Sequence, residues 1–236
     1  GAYQDLERCL ALTESLSAPS VIGRLIQIAL ASACLEMLED LLALGPPPGE
    51  QQLERLLGRL RALEGVEGVT SSLRAELYAF SVMSGDPDVL SQGEGGPSRI
   101  WTNLLWGRWR AQHVALMADL IRASREPAAE FDAYVEDFEE RVAKDANPLS
   151  RLLLPSVAKL ILKNRNSKTR LRLGIRALQL ARLGELPKSV EDMPRDPFTH
   201  DAKRCRYRRE GRGAVLWSVG EDGRDTGGAA QLPGGG

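Results

Sequence analysis

The chain has 236 residues, 43% of them apolar, enough to bury one or two cores and far from the composition of a disordered segment. Thirty-one Lys and Arg against 32 Asp and Glu leave a net charge of −1, not the strongly basic balance of a general nucleic-acid binder. Three cysteines and two histidines, none at ligand spacing, argue against a zinc site and predict three separate structural thiols.

The chain opens on Gly1 rather than Met, which fits a removed tag or a truncation and predicts native residues upstream. Residues Tyr3 to Leu16 read as a helix carrying Leu6, Cys9, Leu10 and Leu12. Ser20 stands where an N-cap belongs, ahead of a helix over Val21 to Leu44. That helix is the nearest approach to a membrane span. Arg24, Gln27, Glu36, Glu39 and Asp40 interrupt it, so a buried or half-buried soluble helix is expected. Gly45-Pro46-Pro47-Pro48-Gly49 must stop it, since three prolines deny the amide donors a helix needs. From Glu50 to Leu63, Leu53, Leu56, Leu57, Leu60 and Leu63 form one apolar stripe. A helix over Val69 to Met83 follows, then a loop over Ser84 to Ser98, then a long helix from Arg99 to Ser124. In that helix Trp101, Leu105 and Trp109 read as one core-facing stripe, with Trp106 at its edge.

Pro127 opens an acidic helix to about Lys144, with Phe131, Tyr134, Val135 and Phe138 inward. Asp132 and Glu136, four apart, read as a solvated face because no histidine or second carboxylate helix accompanies them. Asn147-Pro148 starts a helix from Leu149 to Asn164. Asn166 to Thr169 then introduces another, Thr169 to Glu185, across a junction that is a link or a kink. No Gly-rich phosphate loop, Ser/His/Asp or Cys/His pairing, or metal cluster can be assembled, so no catalytic residue is assigned.

The end of the chain is more distinctive. The helix stripe Leu171, Leu173, Ile175, Leu178, Leu180 and Leu183 leads into Arg182-Leu183-Gly184-Glu185-Leu186-Pro187. The words Pro194-Arg195-Asp196-Pro197-Phe198 and Cys205-Arg206-Tyr207-Arg208-Arg209 come next, followed by Leu216-Trp217-Ser218-Val219-Gly220-Glu221-Asp222-Gly223. Two runs of period two, Cys205 and Tyr207 and then Val215 and Trp217, flank Glu210-Gly211-Arg212-Gly213 and predict a β-hairpin. A lone hairpin is marginal in water, so Val215 and Trp217 are expected to pack with Phe198 on the preceding helix. In order and spacing these words resemble the globular tail of the type II secretion major pseudopilin, which also closes looser relatives among bacterial cell-surface proteins.

The resemblance implies a tail module for assembly or protein contact in an extracytoplasmic envelope protein, anchored by a segment upstream of residue 1. In the family the final acidic turn binds calcium. Carried over, this makes Asp222 the first ligand and Asp225 a stand-in for the second, with Ser218 at the head of the turn. The family's longer acidic extension is replaced here by Thr226-Gly227-Gly228. The residues alone also fit a polar turn without metal, Asp222-Gly223 accepting positive φ.

The expected architecture is a mainly α chain. An irregular antiparallel helical array or bundle occupies 1–166, a small α+β unit of long helix plus β-hairpin occupies 167–228, and a flexible Gly-rich tail occupies 229–236. Lys159 to Arg212 holds sixteen Lys and Arg against six Asp and Glu. This basic tract could serve an acidic partner or nucleic acid in a soluble adaptor; intramolecular or protein-partner pairing is the favoured reading. No small-molecule substrate is expected, and the protein partner is not identified.

Overall fold

The computed structural model describes residues 1–16, 20–66, 69–83, 99–126, 128–183, 185–199, 203–211, 213–220 and 225–228. The described chain is mainly α, with a two-stranded antiparallel sheet near its C-terminus. The helices are α1 (Ala2–Ser15), α2 (Val21–Leu44), α3 (Glu50–Gly65), α4 (Val69–Met83), α5 (Arg99–Ala123), α6 (Ala128–Asp145) and α7 (Pro148–Ala181). The strands are β1 (Arg206–Glu210) and β2 (Gly213–Trp217). The expected loop over 84–98 and the Gly-rich segment 229–236 lie outside the described residues, as does the side chain of Trp101.

The chain divides into two compact units. One comprises Gly1–Ser17, Ile26–Val66 and Lys163–Gly236, the other Ala18–Leu25 and Glu67–Leu162. The boundary expected between residues 166 and 167 falls inside α7, and the hairpin segment groups with α1, most of α2 and α3. The physical reason is the junction over Asn164 to Thr169. It contains no Gly or Pro, Asn164, Ser167 and Thr169 are buried, and Thr169 Oγ1 donates to the Arg165 carbonyl one turn back at 3.0 Å. The 34-residue helix therefore runs through it, with Pro155 inside its first half.

In the first unit the α3 stripe behaves as its spacing requires. Leu53, Leu56, Leu57, Leu60 and Leu63 are at most 3% exposed. They share a core with Leu6 and Leu10 of α1, Cys34, Leu35 and Leu38 of α2, and Leu171, Ile175 and Leu178 of α7. Each such leucine contributes roughly 1.5–3 kcal/mol of burial. Gly174 lets α7 approach α2, since a Cβ there would stand 2.8 Å from Leu35 Cδ2. Tyr3 Oη donates to the carbonyls of Leu41 (3.3 Å) and Pro46 (3.2 Å), tying α1 to the proline-rich stop. Around the rim, Arg170 pairs with Glu36 and Glu39, Arg172 with Glu64, and Arg182 with Glu50 and Glu54.

By length and composition alone α2 could cross a membrane: it has 24 residues, and an 18-residue stretch within it has a mean hydropathy of 1.7. Val21 to Leu38 contains only Arg24 and Glu36, so it passes the length and composition test for a span, as the core helix of a soluble protein also does. In the folded chain Leu35 and Leu38 belong to the core instead. The expected N-cap is present: Ser20 Oγ accepts the Gly23 amide at 3.0 Å.

The second unit buries Val69 and Leu73 of α4 and Met117, Leu120 and Ile121 of α5. It also buries Phe131, Val135, Phe138 and Val142 of α6, and Leu154 and Ile161 of α7. Glu130, Glu136, Asp137 and Glu140 face solvent as the acidic pattern predicted, whereas Asp132 and Glu139, expected on the same face, are half-buried. Asn147-Pro148 caps α7: Asn147 Oδ1 accepts the Ser150 amide at 3.0 Å and Pro148 takes the first helical position.

The hairpin pairs Arg206 with Trp217 through Glu210 with Gly213, joined across Gly211 at φ 59°. Its faces are opposite to expectation. Val215 and Trp217 lie against Gly228 of the final turn, where a Cβ would come within 2.8 Å of Val215 Cγ1 and 3.2 Å of Trp217. Ala214 and Leu216 instead look toward Ala177 and Leu180 of α7 across a groove. Period two fixes that the faces alternate, whereas the neighbours decide which one turns inward.

Candidate functional site

The tail is organised by Asp196 in the middle of Pro194-Arg195-Asp196-Pro197-Phe198. Two short backbone bonds fold this word back on the chain before β1: Asp196 N donates to Lys203 O, and Cys205 N donates to Pro194 O, both at 2.8 Å. The carboxylate, 1% exposed, accepts from Phe198 N (3.1 Å), Ser218 Oγ (2.8 Å) and Val219 N (2.9 Å). The first bond is the Asx-turn expected of an Asp before Pro-Phe. The other two join it to the residues that follow β2. Met193, Phe198, Cys205 and Val219 are buried beside it. Burial and the nearby Asp196 carboxylate push the Cys205 thiol up to about 12, which favours the protonated form at neutral pH.

The link before this word is held from the hairpin. Tyr207 Oη donates to Pro187 O at 2.6 Å, Arg209 Nη1 to Leu186 O at 2.9 Å, and Arg204 Nη1 to Met193 O at 2.7 Å. The two outer words of the tail thus meet through hydrogen bonds.

Of the expected calcium ligands, Asp222 lies outside the described residues. Asp225 Oδ1 accepts from Trp217 Nε1 (2.9 Å) and Gly227 N (3.0 Å), and Oδ2 from Arg206 Nε (3.2 Å). The Trp217 and Gly227 donors, with Arg206, hold its carboxyl below the usual carboxylate range. Ser218 Oγ donates to Asp196 and accepts the Gly220 amide at 3.2 Å. Asp225 and Ser218 therefore have different partners, and no group of three or more His, Cys, Asp or Glu gathers among the described residues. A cation at Asp225 would displace or share donors that already satisfy it.

A Ser–His contact of which the sequence shows no sign is present in the second unit. His113 Nδ1 lies 3.0 Å from Ser150 Oγ, and Asn147 Nδ2 lies 2.9–3.2 Å from Gln112 Oε1, Ser150 Oγ and Trp109 O. Ser150 is 0% and His113 2% exposed, so no substrate reaches the pair; burial pushes the imidazole pKa down. It is the polar seat of the α7 cap. The Asn147-Pro148 helix start was visible in sequence, but the contact of Asn147 and Ser150 with α5 was not.

The basic tract is extensively paired within its own unit. Besides the α7 pairs above, Arg206 bonds Asp225, Arg208 bonds Glu210 and lies over the Trp217 ring, and Arg209 approaches Glu185. All three cysteines are free, Cys9 exposed and Cys34 and Cys205 buried. No family model, curated protein or solved structure matches the chain.

Proposed function

We propose that this chain is a non-catalytic protein of the bacterial cell envelope, whose helix, link and hairpin form a pseudopilin-like tail used for assembly or protein contact. The observation that carries the reading is the Asp196 carboxylate, which bonds the Pro-Arg-Asp-Pro-Phe loop to the Ser218-Val219 stretch after β2. Two of the three tail words are thereby parts of one structural device, which supports the reading of them as a shared module. The helix α2, apolar and long, is compatible with an envelope setting. Pairing of the α7 and hairpin arginines with carboxylates favours this reading over a soluble nucleic-acid adaptor. Protease shaving and fractionation of intact cells producing the native protein test the setting: protection from external protease together with recovery in the cytosol would refute it. Cross-linking in the envelope, compared between the native chain and an Asp196→Ala variant, tests the contact role; loss of cross-links in the variant is the expected result.

A further inference from the structure

The first unit carries a cleft of about 420 Å³ bounded by α3, the last turns of α7 and the link after it. Leu57 and Leu180 form its floor, while Leu183, 59% exposed, and Val190 of the link offer apolar cover above. Three arginines reach it: Arg61 from α3, Arg176 from α7 and Arg182 from the turn just after α7. Arg182 is satisfied, each terminal nitrogen donating to a carboxylate, Glu54 or Glu50, at 2.8 Å. The other two are not. Arg176 donates Nη1 to Gln179 Oε1 at 3.1 Å, and its buried Nε has no acceptor. Among the described residues neither Arg61 nor Arg176 has a carboxylate partner, although Arg170 and Arg172 on the same helix do. Gln179 thus fixes one side of the Arg176 guanidinium and leaves the Nε and Nη2 edge, the edge that receives two oxygens side by side.

We propose that this cleft binds an oxyanion, a carboxylate or a phosphate, carried on a ligand with a small apolar body. The oxygens bridge Arg176 and Arg61, and the apolar part covers Leu183 and Val190. Because Nε is shielded from solvent, Nη2 makes the first contact and a small side-chain turn completes the fork. Glu191 and Asp192 stand exposed at the lip. Water screens their charges, so they oppose the anion only weakly, and a ligand with a cation beside its oxyanion gains from them. The cleft needs only α3, α7 and the link, so it does not depend on the pseudopilin reading.

The test is calorimetric titration of the whole chain with two probes, inorganic phosphate and an N-acetylated Leu-Glu dipeptide. Saturable binding is expected, weakened about tenfold by Arg61→Gln or Arg176→Gln. Arg176→Lys keeps the charge, loses the fork and should also weaken binding. Glu191→Gln with Asp192→Asn should tighten it, an opposite sign that misfolding does not produce. Arg8→Gln on α1 is the control expected to leave it unchanged. Binding of phosphate alone identifies a phosphate ligand, and binding of the dipeptide alone a carboxylate. No saturable binding of either at millimolar concentration, or binding indifferent to both arginine-to-glutamine variants, overturns the proposal.

Discussion

Replacing Asp196 with alanine removes a carboxylate that is 1% exposed and accepts three hydrogen bonds. The Phe198 and Val219 amides and the Ser218 hydroxyl would then lack this acceptor in a place water reaches poorly. Leaving a buried donor unsatisfied costs about 1–3 kcal/mol, and bonds to a charged acceptor are at the upper end. Ser218 can rotate its hydroxyl elsewhere, so the two amides dominate and the expected loss is about 3–5 kcal/mol of tail stability. Asparagine keeps one acceptor oxygen and turns an NH2 toward the remaining donor, so roughly half that loss is expected. With two compact units a single unfolding midpoint is not a safe readout. Hydrogen exchange at Phe198 and Val219, with Leu56 of the α3 stripe as internal reference, reads the tail alone. Faster exchange at both tail amides with an unchanged reference is expected. If the alanine variant exchanges at the native rate, Asp196 is not the organiser of the tail, and the structural reading of the Pro-Arg-Asp-Pro-Phe word fails.

Gly174→Val should destabilise the first unit by about 2 kcal/mol, because its branches would enter the space of the Leu35 side chain, already 2.8 Å from an added Cβ; denaturant titration measures this, and an unchanged midpoint would contradict the close approach of α7 and α2. The second unit should lose stability in mild acid. Burial lowers the folded His113 pKa below 6.5, so the unfolded chain takes up the proton first; this contribution is complete above that pH and declines as pH falls toward the folded value. Comparing denaturation of the native chain and His113→Gln at about pH 7.5 and 5.5 checks the sign, the variant showing the smaller drop. Calcium titration of the chain alongside an Asp222→Ala, Asp225→Ala variant decides the role of the final turn. Saturable heat lost in the variant is expected if the turn binds the ion, and silence at millimolar calcium leaves Asp225 as the hydrogen-bond partner of Trp217 and Arg206.

What the sequence determined by itself is the set of features governed by neighbours a few residues away. The leucines of α3 at helical spacing, the Ser20 cap, the proline stop after Leu44, the Asn147-Pro148 start and the glycine hairpin each answer to local geometry, and each appears where it was expected. Tertiary structure decided the rest. The polar run Asn164 to Thr169 reads as a junction, yet burial of Asn164, Ser167 and Thr169 keeps it helical. Which hairpin face turns inward depended on the Asp225–Gly228 turn, and the value of Asp196 depended on a hydroxyl and an amide 22 and 23 residues away. Arg170 and Arg172 of α7 and Arg182 just after it found carboxylates more than a hundred residues earlier in the chain, while among the described residues Arg61 and Arg176 did not. Local pattern specifies how a segment folds, but a buried polar group is defined by what the whole chain brings beside it, and one-dimensional spacing carries no record of that meeting.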